Sequence, residues 1–160
     1  MTQELFIKMA LQAWDIHVKR TDKAFDSLSD EDLYLEIAPG KNRAIYLLGH
    51  LAAVHDMMPP LLGLGGRLYP QLDEAFITNG DKVVSSLPAP GELRKYWKQV
   101  NEVLAAQFKQ LSPEEWFAKH TAVSDEDFAK EPHRNRLNVL INRTNHLAYH
   151  LGQLALLKKR

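Results

Sequence analysis

Two histidines, His146 and His150, stand four residues apart in the run Asn145-His146-Leu147-Ala148-Tyr149-His150-Leu151-Gly152-Gln153. On an α-helix, positions i and i+4 share a face one turn apart, so both imidazoles can grip one ion. Neutral imidazole nitrogen is a good ligand for zinc, nickel, copper and iron. Two ligands do not complete a site. The third candidate is His50, in Leu47-Leu48-Gly49-His50-Leu51-Ala52-Ala53-Val54-His55. Leu47 and Val54, one turn away, are apolar, which places His50 on the buried side of its helix. Three nitrogen ligands from two helices leave coordination positions open to water or substrate, as in catalytic metal sites. A His-x₃-His pair also arises by chance on helices, so packed histidines without a metal are the competing reading.

Other polar side chains fall near these three. Asn142, Arg143 and Gln153 are each about one turn from a ligand. Ligand histidines need an oxygen acceptor at the other ring nitrogen, and Asn142 and Gln153 offer one. Arg143 cannot accept, but it can attract an anionic substrate. His55 sits off the direct stripe of His50 and partly inward, as a pocket residue, a partner to a ligand, or a core or surface histidine. Arg143 and His55 are the catalytic candidates. His17 reads as a helix-C-terminal histidine complementing the dipole, or as a pocket residue. His120 and His133 fall in loops or caps and take no role.

Composition bounds what such a centre belongs to. The 160 residues fit one domain, 1–160, able to bury roughly 70% of its unfolded surface. The hydrophobic share of 45% and charged share of 25% are those of a soluble globular protein. A formal net charge of zero argues against a nucleic-acid partner held by phosphate neutralisation. There is no cysteine, so a metal must use nitrogen and oxygen ligands. Neither a signal peptide nor a bilayer-spanning run is recognisable, which makes a cytoplasmic location the expectation.

The elements that must position the histidines follow from periodicity and breakers. A first helix is expected from about Thr2 to Lys19, with Leu5, Phe6, Met9, Ala10, Ala13, Trp14 and His17 inward. Ser29 to Asp32 carries a capping signal. Pro39-Gly40 breaks the chain before Asn42, the expected cap of a second helix running to Met58, where Pro59-Pro60 stops it. Residues 61–90 are rich in glycine and proline, with one short helix near Gln71–Phe76. Such a connection is either a pocket rim or a plain crossover. A third helix runs from about Gly91 to Leu111, with Leu93, Trp97, Val100, Leu104, Phe108 and Leu111 inward. Ser112-Pro113-Glu114-Glu115 and Ser124-Asp125-Glu126-Asp127 cap short turns. The last helix spans about Leu137 to Leu157 and is apolar on more than one side, either wrapped by the bundle or packed on a second subunit. The fold expected is all-α: a four-helix bundle with a long crossover between helices two and three.

The halves echo each other weakly. Ser29-Asp30-Glu31-Asp32-Leu33 precedes the His50 helix, and Ser124-Asp125-Glu126-Asp127-Phe128 precedes the His146 helix. Short acidic capping boxes are common, so chance also explains the match. A genuine echo implies approximate two-fold symmetry, with His50 opposite His146.

Gly49-His50-Leu51 followed by Asn145-His146-Leu147-Ala148-Tyr149-His150-Leu151-Gly152-Gln153 resembles the DinB-like fold, shared by bacillithiol and mycothiol transferases. The likeness covers essentially the whole chain in length, helix order and histidine position. It is most specific at His-x₃-His-x-Gly-Gln. The resemblance implies a divalent metal on His50, His146 and His150, water at the open positions, and a homodimer. It does not name the reaction.

The expected function is that of a metal-dependent enzyme that activates water or a low-molecular-weight thiol for attack on a small electrophile, as a hydrolase or a thiol S-transferase. The metal expected is zinc or nickel, with iron and copper as further choices. The alternative is a non-catalytic metal-binding or stress-related helical protein acting as a homodimer, and a weaker one is a partner-binding module using the last helix. No nucleic-acid or membrane partner is expected.

Overall fold

Ile7, Leu11, Trp14, Val18, Thr21 and Phe25 follow one another at alternating four- and three-residue steps, which keeps them on one stripe of a helix. That stripe builds α1 (Thr2–Asp26) and faces inward; Trp14, Thr21 and Phe25 are all but inaccessible. The computed structural model describes residues 2–157; Met1 and residues 158–160, the ends of the expected single domain, lie outside them. Two expectations for this helix are corrected. Leu5, Phe6 and Met9 are more than half exposed, because the inward stripe is the one rotated through Ile7 and Leu11. His17 does not end the helix, which runs on to Asp26; its Nδ1 donates to the Ala13 carbonyl at 2.8 Å.

A short α2 (Asp30–Leu33) follows, with Ser29 and Asp32 forming the expected reciprocal box. Next come α3 (Ala44–Asp56) and α4 (Met58–Leu62). The cap of α3 is Arg43, not Asn42, and Asp81 from the distant connection accepts its backbone N–H at 2.7 Å. Pro59-Pro60 does not end the helical path. The prolines open α4 in its first turn, where their missing N–H groups cost nothing. The connection holds a 3₁₀ turn (Pro70–Leu72) and a π-helical turn (Glu74–Thr78). Then α5 (Pro90–Phe108) buries the expected Leu93, Trp97, Val100, Leu104 and Phe108; Leu111, also expected on this stripe, lies beyond the helix end and is only partly buried. Two short helices, α6 (Pro113–Phe117) and α7 (Asp125–Lys130), lead to α8 (Arg136–Leu154).

All elements among the described residues are helical; the only extended pairings there are two isolated bridges, Glu36 with Arg43 and Lys119 with Asn135. Among these residues no helix is long and apolar enough to cross a membrane. Helix α1 packs along α8, α3 packs along α5, and α3 also meets α8. Every residue of α3 except His50 is buried. A helix apolar all round is a central one, and here its single opening to solvent is at the histidine.

The echo between the halves is structural, but its partners differ from those expected. Ser29 corresponds to Ser112, not Ser124. Both serines sit in complete reciprocal boxes. Six residues beyond each, the carbonyls of Leu35 and Ala118 accept the N–H of the first residue of a histidine-bearing helix: Ala44 of α3 and Arg136 of α8, each at 3.0 Å. Leu33 and Trp116, each four beyond its serine, are both sealed in the core. The segment holding α7 is an insertion between Lys119 and Asn135.

Candidate metal centre

The connection after α4 is strapped along α3 and delivers a hydrogen-bond partner to His50. At the C-terminal end of α3, the buried Asp56 carboxylate accepts from the backbone N–H of Leu68 (2.7 Å) and Tyr69 (2.9 Å) and from Arg67 Nε (3.1 Å). At the N-terminal end, Arg43 clamps Asp81 through Nε and Nη2, and the Tyr46 hydroxyl donates to the Asn79 carbonyl at 2.8 Å. Between these anchors lies Phe76, fully buried. Its ring occupies the space beside Gly49: a Cβ there would meet Phe76 Cε1 at 2.3 Å. The bare glycine lets the π-helical turn settle onto α3, and the Phe76 carbonyl then accepts from His50 Nδ1 at 2.8 Å.

His150 is oriented from its own helix. Its Nδ1 donates to Gln153 Oε1 at 2.7 Å, and Gln153 Nε2 donates to the Tyr149 hydroxyl at 3.1 Å, which fixes the amide's direction. Of the two acceptors expected, Gln153 serves and Asn142 does not: Asn142 faces solvent. The Phe76 carbonyl had no signal in sequence, because it comes from 26 residues beyond its histidine.

With Nδ1–H engaged, the neutral rings of His50 and His150 carry lone pairs at Nε2. These Nε2 atoms and that of His146 converge: His50 to His146 is 3.2 Å and His150 to His146 is 3.1 Å. A proton on His146 Nε2 can serve one of these contacts, not both. Metal–nitrogen bonds of about 2.0–2.1 Å set ligand nitrogens roughly 2.9–3.4 Å apart around a tetrahedral or octahedral ion. The donor set and spacing therefore fit a metal, and one ring nitrogen from each histidine lies within 4.8 Å of the other two.

The protonation states agree. Burial holds the His50 imidazolium below the ordinary histidine range, against the opposing Phe76 hydrogen bond and with help from the Arg143 charge. His146 is pushed down to about 4, first by burial, then by His150, His50 and Arg143. His150 is lowered by burial, opposed by Gln153. All three are neutral at pH 7, as ligation requires. His146 Nδ1 is buried without a hydrogen-bond partner among the described residues.

Of the catalytic candidates, His55 lies deep in the protein. It is fully buried between Trp14 and Trp97, with ring centroids at 4.6 and 4.9 Å. Its Nδ1 donates to Asn101 Oδ1 at 2.9 Å, and Asn101 Nδ2 donates to the Trp97 carbonyl at 2.8 Å. Burial pushes it down to about 3, and nearby His146, Arg143 and His50 add to the effect. Arg143 is half-buried one turn before His146.

No curated protein matches the chain. The family model described as the DinB superfamily matches residues 13–154, a span that includes all three converging histidines. An all-helical chain with this match and with His50, His146 and His150 positioned to bind a metal ion belongs to the DinB superfamily.

Proposed function

We propose that the protein is a divalent-metal-dependent enzyme acting on a small electrophile, of the hydrolase or thiol S-transferase type. One observation carries this reading: three Nε2 atoms converge, and two of their rings are fixed by acceptors that leave only lone pairs to share. When bound, a divalent ion, zinc or nickel by our reading, brings the pKa of a water or a substrate thiol toward neutrality. His50, His146 and His150 would hold it. The Phe76 carbonyl and Gln153 keep two of these rings in one tautomer and raise their basicity. His50, the one solvent-reaching residue of α3, marks the side from which substrate enters. Arg143 would touch the substrate. His55 would stand behind the ligands and keep an apolar, uncharged wall.

The four long helices α1, α3, α5 and α8 read as one four-helix bundle, with residues 63–89 as its long crossover. The kinship we favour within the superfamily is to bacillithiol and mycothiol transferases. The exposed Leu5, Phe6, Met9 and Ile16 on α1 support a homodimer. A cytoplasmic location is part of this reading.

The test is consumption of an electrophilic substrate such as a chloronitroarene, with and without added metal and with and without low-molecular-weight thiols. Metal- and thiol-dependent loss supports the transferase. Metal-dependent loss without thiol supports the hydrolase and excludes the transferase. No metal-dependent loss across a panel of electrophiles and thiols counts against an enzyme and favours the non-catalytic metal-binding reading.

A further inference from the structure

Arg143 is a cation with no counter-charge beside it among the described residues. Among the described residues no carboxylate reaches it and no acceptor binds it; burial alone perturbs it. Most other half-buried arginines are gripped; the exception, Arg136, whose Nε is buried without a partner among the described residues, stands at the start of α8, seven residues before Arg143. Arg43 holds Asp81, Arg67 holds Asp56 and Asp73, and Arg94 holds the Phe25 and Leu28 carbonyls. Half-burying an unpaired guanidinium costs hydration, and Arg143 bears that cost beside the three histidines. Neither histidine-bearing helix offers a free counter-ion among the described residues. Helix α8 contains no Asp or Glu, and the sole acid of α3, Asp56, is committed to Arg67, Leu68 and Tyr69. Arg143 lies three residues before His146 on one helix face, and its charge reaches His146, His50 and His55. Three neutral imidazoles and one free guanidinium make a centre with a net positive charge and no acid of its own.

We propose that Arg143 is an oxyanion-holding subsite beside the histidine centre, taking the carboxylate or phosphate group of an anionic small-molecule substrate. The planar guanidinium fork matches two oxygens of either group, and a low-dielectric flank strengthens the pair. The substrate's reacting atom then lies next to the histidines while its anionic end is fixed one helical turn away. This names the substrate class for the function proposed above and rests on that reading of the centre as a substrate site.

The experiment titrates inorganic phosphate, and separately acetate, into metal-free protein at low ionic strength. The histidine ring resonances of His146 and His50 are followed by NMR, with sodium chloride as the control. Wild type shows saturable shifts, and Arg143→Gln binds about tenfold more weakly, the loss of one charge-assisted pair. Arg143→Lys keeps the charge without the fork and falls between. The tighter of phosphate and acetate identifies the group. Equal affinity in Arg143→Gln and wild type, or no saturable shift in wild type, overturns the assignment. Should the glutamine variant fail to fold, the lysine variant decides: weaker binding supports the subsite and equal binding rejects it. Metal content, measured in parallel on the same proteins, reports separately on the metal centre.

Discussion

The two arms of the centre hold their histidines by different means. On α8, His150 is fixed locally: Gln153 lies three residues on, and Tyr149 braces it from the same helix. On α3, His50 is fixed from afar, by a carbonyl in a connection that Asp56 and Arg43 strap down at either end. The local arm depends on helical periodicity alone. The remote arm depends on the fold, because the Phe76 carbonyl reaches His50 only while a phenyl ring fills the space a Cβ would take at Gly49. Damage to the α3 arm should therefore cost stability and metal together, and damage to the α8 arm metal alone.

Gly49→Ala tests the first half of that contrast and should have the largest effect. The added methyl meets a fully buried ring at 2.3 Å. Thermal or denaturant unfolding should show a loss of about 3 kcal/mol or more, and metal affinity should fall as the Phe76 carbonyl moves. Unchanged stability would mean the connection is not seated as described.

The wall behind the arms has a pH signature. His55 is pushed down to about 3 in the folded protein, against about 6.5 when unfolded. Between those values the unfolded chain binds the extra proton, so stability is full above about pH 6.5 and falls as pH drops toward 3. The slope is about 1.4 kcal/mol per pH unit from this group. His55→Leu should flatten the slope by about one proton in denaturant titrations of metal-free protein. An unchanged slope would place the proton uptake elsewhere.

Gln153→Leu probes the local arm. It should weaken metal binding about 10–100-fold, as loss of a ligand's hydrogen-bond partner does, with unfolding little changed. A loss of stability as large as that of Gly49→Ala would erase the distinction between the arms. The smallest effects belong to the caps. Ser29→Ala and Ser112→Ala should each cost about 1 kcal/mol, matching one another because the two boxes occupy corresponding places before α3 and α8. Clearly unequal losses would argue against the correspondence of the halves.

What was legible in sequence follows the same division. The stripe of α5, the pair His146 and His150, and the acceptor Gln153 were readable because helical spacing alone determines them. His50 was readable from its apolar neighbours. The Phe76 carbonyl was not, since backbone acceptors have no residue type. On α1 the expected Trp14 is inward, but Leu5, Phe6 and Met9 are as apolar as Ile7 and Leu11, and only packing chooses between those two sets. The halves were matched through the repeated letters Ser-Asp-Glu-Asp. The structure matches them through cap chemistry, a serine with a carboxylate three residues later, which tolerates Pro113 and a change from Asp32 to Glu115.

Elemental analysis of protein purified without a histidine tag, wild type beside His146→Ala, tests the centre most directly. His146 is the ring whose Nε2 lies near both others. Wild type should carry about one divalent ion per chain, and a folded variant should lose most of it. Equal metal in both proteins, or none in wild type even after incubation with zinc and nickel, would contradict the account.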